Sequence, residues 1–169
     1  MKLNKLQKKI GISFKDDKLL IQALTHKSFD TKNNYEKLEF LGDRVLGFVI
    51  SKKLLELYPN EKVGMIDKKL ANLVNKNKCF EIGKELELDN YILTGNTEKK
   101  KKVNIEKKII SDCCESLIGA IYIDKGFEFS SKFILNYWKN YLNLSDITVI
   151  DPKTRLQEYS LKKFKTLPI

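Results

Sequence analysis

Histidine is almost missing from this chain of 169 residues, where His26 stands alone. Cysteine is scarce too: Cys79, Cys113 and Cys114 are odd in number, and no C-x-x-C pairs or clustered histidines accompany them. A disulfide framework and a zinc site are thereby excluded, which leaves the thiols as small buried residues in a reducing, cytoplasmic setting. No run of 18 apolar residues occurs, so no membrane span is expected. The opening MKLNKLQKKIGISF has charge but neither the apolar centre nor the small-residue cleavage site of an export signal. Convincing alternating strands and internal repeats are also lacking. The lysine-rich stretches are not interleaved with aromatics, so a stacking platform for single strands is not suggested.

Positive charge and helical periodicity are what the chain does have. Thirty-two basic residues against 22 acidic ones give a net charge of +10, which suits a polyanion partner or simply a basic soluble surface. The lysines concentrate in residues 1–34 and in Lys99–Lys102 with Lys107 and Lys108. Apolar residues recur at three and four in Leu3-Leu6-Ile10 and again from Leu19 to Leu24. The same spacing predicts a long helix from about Tyr35 to Leu57, stopped by Pro59-Asn60, and shorter ones over Met65–Val74 and Cys79–Leu88. Thr94 to Asn104 reads as a charged loop. Ile109 to Ile123 is apolar on nearly every side, the mark of a central buried helix, and Phe127 to Leu144 supplies another. The reading is one all-α domain over residues 1–146, a linker at 147–150, and a fresh helix over 151–169 with Asp151 as N-cap and Pro152 in its first turn.

Two acid pairs interrupt this apolar pattern. Glu39 and Asp43 are spaced i, i+4 and project from one helix face about 40° apart. Asp112 and Glu115, at i, i+3, lie on the most apolar helix of the chain. Buried carboxylates left alone cost several kcal/mol each, so either lysine and arginine partners approach from elsewhere or a hard divalent cation does. Arg44 and Lys37 are near the first pair, whereas Ile109–Ile123 contains no basic residue. Four carboxylates without histidine or cysteine suit Mg²⁺ or Mn²⁺. Separate buried salt bridges are the competing explanation, and neutralisation by lysine would count against a metal centre.

Four sequence blocks, in order, resemble the ribonuclease III family. Glu36-Lys37-Leu38-Glu39-Phe40-Leu41-Gly42-Asp43 is similar to its signature, and Ala23-Leu24-Thr25-His26-Lys27-Ser28 to the block before it. Ser111 to Ala120 resembles its D-x-x-E-A-[LI]-I-G-A block. Asp151 to Glu158 (DPKTRLQE) resembles the start of the double-stranded-RNA-binding domain that follows in bacterial members. The resemblance implies the family's all-α endonuclease fold. It further implies a Mg²⁺ site, with Mn²⁺ as substitute, at Glu39, Asp43, Asp112 and Glu115, of which Asp43 and Glu115 are catalytic and Glu36 supports them. Gln157 and Glu158 match RNA-contacting positions. Val63 departs from the pattern, standing where an acidic residue that handles RNA is usual.

The implied reaction is metal-assisted hydrolysis of double-stranded RNA, in ribosomal precursors and other structured transcripts, to staggered ends with 5′-phosphate and 3′-hydroxyl. No small-molecule cofactor is implied. Family members are homodimers, and Phe40 and Leu41, with Val45 and Phe48 beside them, are candidate interface residues whose alternative is ordinary core packing. His26 is expected to be a buried hydrogen-bonding residue. The chain holds little more than the first helix of the RNA-binding domain, so residues beyond about Pro152 are expected to lack a partner face. A non-catalytic RNA-binding scaffold of the same fold is the alternative, which uncompensated buried acids would argue against. A di-iron helical enzyme is disfavoured by the lack of Glu-x-x-His pairs.

Overall fold

Helix dominates, as the three-and-four spacing requires. The computed structural model describes residues 2–95, 105–144 and 159–166. Within them the chain forms α1 (Lys2–Ile10), α2 (Asp17–Ala23), α3 (Glu36–Leu57), α4 (Val63–Leu73), α5 (Lys76–Glu85), a 3-10 turn at Leu88–Asn90, α6 (Ile105–Lys125) and α7 (Phe127–Leu144). Short polar side chains set several boundaries. Asp16 caps α2 through the Lys18 amide at 2.9 Å, Asn75 caps α5 through the Lys78 amide at 3.1 Å, and Asn34 Oδ1 accepts from the Glu36 amide at 3.0 Å where α3 begins. Each satisfies an amide that the first helical turn leaves without a partner. Among the described residues no strand forms, only one isolated bridge between Thr25 and Leu93.

The architecture centres on α6, in which every residue from Ile109 to Ile121 is buried. Burial stops there, two residues short of the expected limit, and Ile123 is exposed. Helix α3 packs most extensively against α6, and two glycines let their backbones touch. A Cβ on Gly42 would lie 1.7 Å from the Glu115 carbonyl oxygen, and one on Gly119 would lie 2.2 Å from that of Leu38. Any side chain at either position would drive the helices apart. Glu39 and Asp43 flank Gly42, and Glu115 precedes Gly119 by one turn, so the closest approach in the fold coincides with the acidic residues.

Other elements brace this pair. Ser116 Oγ donates to the Ala23 carbonyl at 3.0 Å, fixing α2 against α6, and buried Trp138 of α7 donates from Nε1 to the Leu73 carbonyl at 2.8 Å. The Ala23–Ser28 stretch proves structural. The Tyr35 amide donates to Thr25 at 2.9 Å, and the amides of His26 and Leu93 exchange bonds with the carbonyls of Leu93 and Leu24 at 2.9 and 2.8 Å. Nδ1 of His26 accepts from the Ser28 amide at 3.2 Å, and the ring packs edge-on to Tyr35. His26 is thus the buried hydrogen-bonding residue expected. The three cysteines are free and buried. The 147–150 linker and the Asp151-Pro152 helix start lie outside the described residues, while 159–164 are helical with Phe164 exposed.

Candidate metal centre

Because α3 and α6 meet at Gly42 and Gly119, the two acid pairs face one another across the crossing. An open groove of about 480 Å³ lies over them, lined by Glu36, Glu39, Asp43, Lys76, Lys108 and Glu115 among others. Asp112 and Glu115 are nearly inaccessible, at 1% and 2% exposure. Glu39, Asp112 and Glu115 each offer one oxygen, and these oxygens lie within 4.8 Å of one another. Asp43 lines the same groove but pairs with its neighbour Arg44, whose guanidinium stacks 4.5 Å over the Phe40 ring. Glu36 sits at the rim in an exposed ion pair with Lys27.

The acids are not uncompensated, contrary to the sequence expectation. The Lys76 ammonium, from the first turn of α5, contacts Asp112 and Glu115 at 2.7 Å each and Glu39 at 3.1 Å. Lys108, one turn before Asp112 on α6, holds the second Asp112 oxygen at 2.8 Å. Lys108 falls just outside the apolar stretch, and its i, i+4 spacing to Asp112 was visible in the sequence. Lys76 comes from another helix, and no sequence spacing links it to the acids. A non-catalytic scaffold is therefore not excluded by bare acids, and the neutralisation by lysine that counts against a metal centre is present here.

These contacts set the electrostatics. Burial alone would raise the Asp112 carboxyl, but Lys108 and Lys76 outweigh it and hold the group below its ordinary value. Burial raises Glu115; the single ammonium of Lys76 offsets this only in part, and the charge of Asp43 adds to it. For Lys76, burial acts downward, yet its bonds to Asp112 and Glu115 carry the net shift upward. Burial and the Asp112 charge raise the Tyr35 phenol at the start of α3. A cluster of hard anionic oxygens closed by one ammonium is what this arrangement amounts to. It offers no nucleophile–histidine pair.

Comparison with known proteins decides what such a centre belongs to. A family model described as Ribonuclease-III-like matches residues 16–142. Ribonuclease 3 of Pelagibacter ubique is 62% identical over 171 residues, spanning 100% of this chain and 77% of that protein. The chain belongs to the ribonuclease III family. Ribonuclease 3 of Hahella chejuensis is 41% identical over 99% of this chain and 74% of its own length. The nuclease domain of ribonuclease III from Campylobacter jejuni superposes with a TM-score of 0.76 at 38% identity, covering 82% of this chain and 97% of that one; the solved structure is described as flexible in a region involved in dimer formation. All four carboxylates lie inside the ribonuclease III match, and the all-α fold is the one the resemblance implied.

The remaining sequence candidates fall as follows. Phe40 and Phe48 are 63% and 61% exposed, and Leu55 on the same stripe of α3 is 58% exposed. Leu41 is half-buried against the core, and Val45 is a core residue, so its alternative assignment holds. Val63 opens α4 in an exposed position. Gln157 and Glu158 lie outside the described residues. Among the described residues, no helix is long and apolar enough to cross a membrane.

Proposed function

We propose that this ribonuclease III-type endoribonuclease cuts double-stranded RNA with Mg²⁺, for which Mn²⁺ substitutes, held by Glu39, Asp43, Asp112 and Glu115. One observation carries the proposal: three carboxylates from two helices converge on a point where a cation, the Lys76 ammonium, already sits. The donor set is all oxygen and strongly anionic, which fits a hard divalent ion. A bound ion of that kind lowers the pKa of its water and stabilises charge on the leaving 3′ oxygen. Glu39, Asp112 and Glu115 are fixed by the helix crossing, so they need no rearrangement to serve as ligands. Asp43 joins them by giving up Arg44, and with Glu115 it is assigned the catalytic role. Glu36 supports the rim of the groove, where Lys27 pairs with it.

Two copies of the chain joined along the exposed Phe40–Phe48 stripe would set two such centres across one duplex, one per strand, giving staggered cuts with 5′-phosphate and 3′-hydroxyl ends. Duplex choice then rests on A-form groove shape and 2′-hydroxyls rather than base edges. Residues 1–146 form the nuclease unit, 147–150 the linker, and 151–169 the opening of an RNA-binding domain in which Gln157 and Glu158 touch the minor groove. Ribosomal precursor and other structured RNAs in the cytoplasm are the assigned substrates. A self-sufficient lysine–carboxylate cluster also suits a binding-only protein, and one assay separates the two. Incubation of long duplex RNA with wild type and Glu115→Gln should show cleavage by the former alone, with duplex binding by both. Binding without cleavage by wild type would favour the scaffold.

A further inference from the structure

We infer that Lys76 is a tethered counter-ion of the metal centre, holding its carboxylates together when no divalent ion is bound and withdrawing when one enters. The inference rests on the metal reading above and adds a residue to it. Lys76 uses all three of its N–H donors, on Glu39 at 3.1 Å and on Asp112 and Glu115 at 2.7 Å each. Those three side chains are also the ones, among the described residues, whose oxygens converge closely enough to ligate a metal. The ammonium and a divalent ion therefore compete for the same oxygens and exclude one another.

Three features make the exchange feasible. The Lys76 side chain is 51% exposed while the Asp112 and Glu115 side chains are 1% and 3% exposed, so the lysine closes the mouth of the groove and can leave it without disturbing the core. It stands in the first turn of α5, where the positive end of the helix disfavours an ammonium; the carboxylates hold it there. Lys108 bonds the other oxygen of Asp112, so Asp112 keeps a partner after Lys76 has gone. With neither Lys76 nor metal, buried Glu115 would face the neighbouring carboxylates without an ammonium of its own.

Metal binding to the wild-type chain is thus an exchange of cations, and the lysine weakens the apparent affinity. The test uses the full chain freed of metal by chelation. Mn²⁺ binding is followed by electron paramagnetic resonance for wild type and Lys76→Met. In parallel, acetylation of the wild-type lysines is mapped by mass spectrometry with and without saturating Mn²⁺. Lys76→Met should bind Mn²⁺ about tenfold more tightly, corresponding to a site free of its own lysine about a tenth of the time in wild type. It should also melt at lower temperature than wild type without metal. Acetylation of Lys76 should rise several-fold when Mn²⁺ binds, while that of Lys52 stays constant. Equal or weaker Mn²⁺ binding by Lys76→Met, or Lys76 acetylation indifferent to Mn²⁺, overturns the inference but leaves the metal centre. Absence of Mn²⁺ binding in both proteins overturns both. If Lys76→Met does not fold, the wild-type acetylation decides.

Discussion

Asp112 and Glu115 stand three residues apart on one helix, yet their carboxyls are shifted in opposite directions. Two ammoniums serve Asp112, whereas Glu115 has one and lies near Asp43. The linkage consequences differ in sign. Asp112, lowered in the fold, contributes stability that is present above its ordinary value of 3.8 and lost as pH falls through the lower native value. Glu115, raised in the fold, contributes stability that is present below its ordinary 4.5 and lost as pH rises through the higher native value. In chelator at neutral pH, Asp112→Asn should therefore melt below wild type, and Glu115→Gln should melt at or above it. Thermal scans at pH 7 check this, and an equal fall in both would contradict it. Both variants should lose cleavage by at least about a hundredfold, since each removes a ligand worth several kcal/mol at the proposed metal centre. The four acids stood out as candidates by their spacing and the family signature, and three of them, Glu39, Asp112 and Glu115, converge in the fold. Lys76 did not stand out, because a contact between residues 76 and 112 is a property of the packed fold. One local hint existed: Asn75 is a good N-cap, and it places a lysine where a helix start disfavours one.

Helix α5 shows the same limit at the scale of elements. Apolar spacing set its start at Cys79, whereas the Asn75 cap begins it three residues earlier and carries Lys76 into the site. The long helices α3 and α7 were readable nearly to the residue, since their apolar periodicity runs over many turns, whereas α6 begins four residues before the expected Ile109 and ends two after Ile123. Periodicity says nothing of which helices touch, and Gly42 and Gly119 settle that here. Gly119→Ala places a methyl 2.2 Å from the Leu38 carbonyl oxygen, so it should destabilise by about 1–3 kcal/mol and lower the melting temperature by at least about 2 °C. It should also weaken Mn²⁺ binding, because Glu39 and Glu115 move apart with the helices. Calorimetry and a metal titration test the pair of effects, and an unchanged Mn²⁺ affinity would show that the crossing does not set the ligand geometry.

For the molecule as a whole, the exposed stripe of α3 and the groove beside it argue for a paired arrangement. Phe40 belongs to both, through its place on the stripe and its contact with Arg44. Replacing Phe48 with Glu, outside the groove lining, should give a monomer in sedimentation and reduce double-strand cuts relative to single-strand nicks. A dimer that persists would move the interface elsewhere. All of this depends on a cation being required by the acids of α3 and α6. The most direct test is incubation of a long perfect RNA duplex with the chelated chain, with and without added Mg²⁺, followed by analysis of the ends. Staggered products with 5′-phosphate and 3′-hydroxyl should form only when Mg²⁺ is present. Cleavage that proceeds in chelator, or duplex that is bound but left whole in Mg²⁺, would contradict the account.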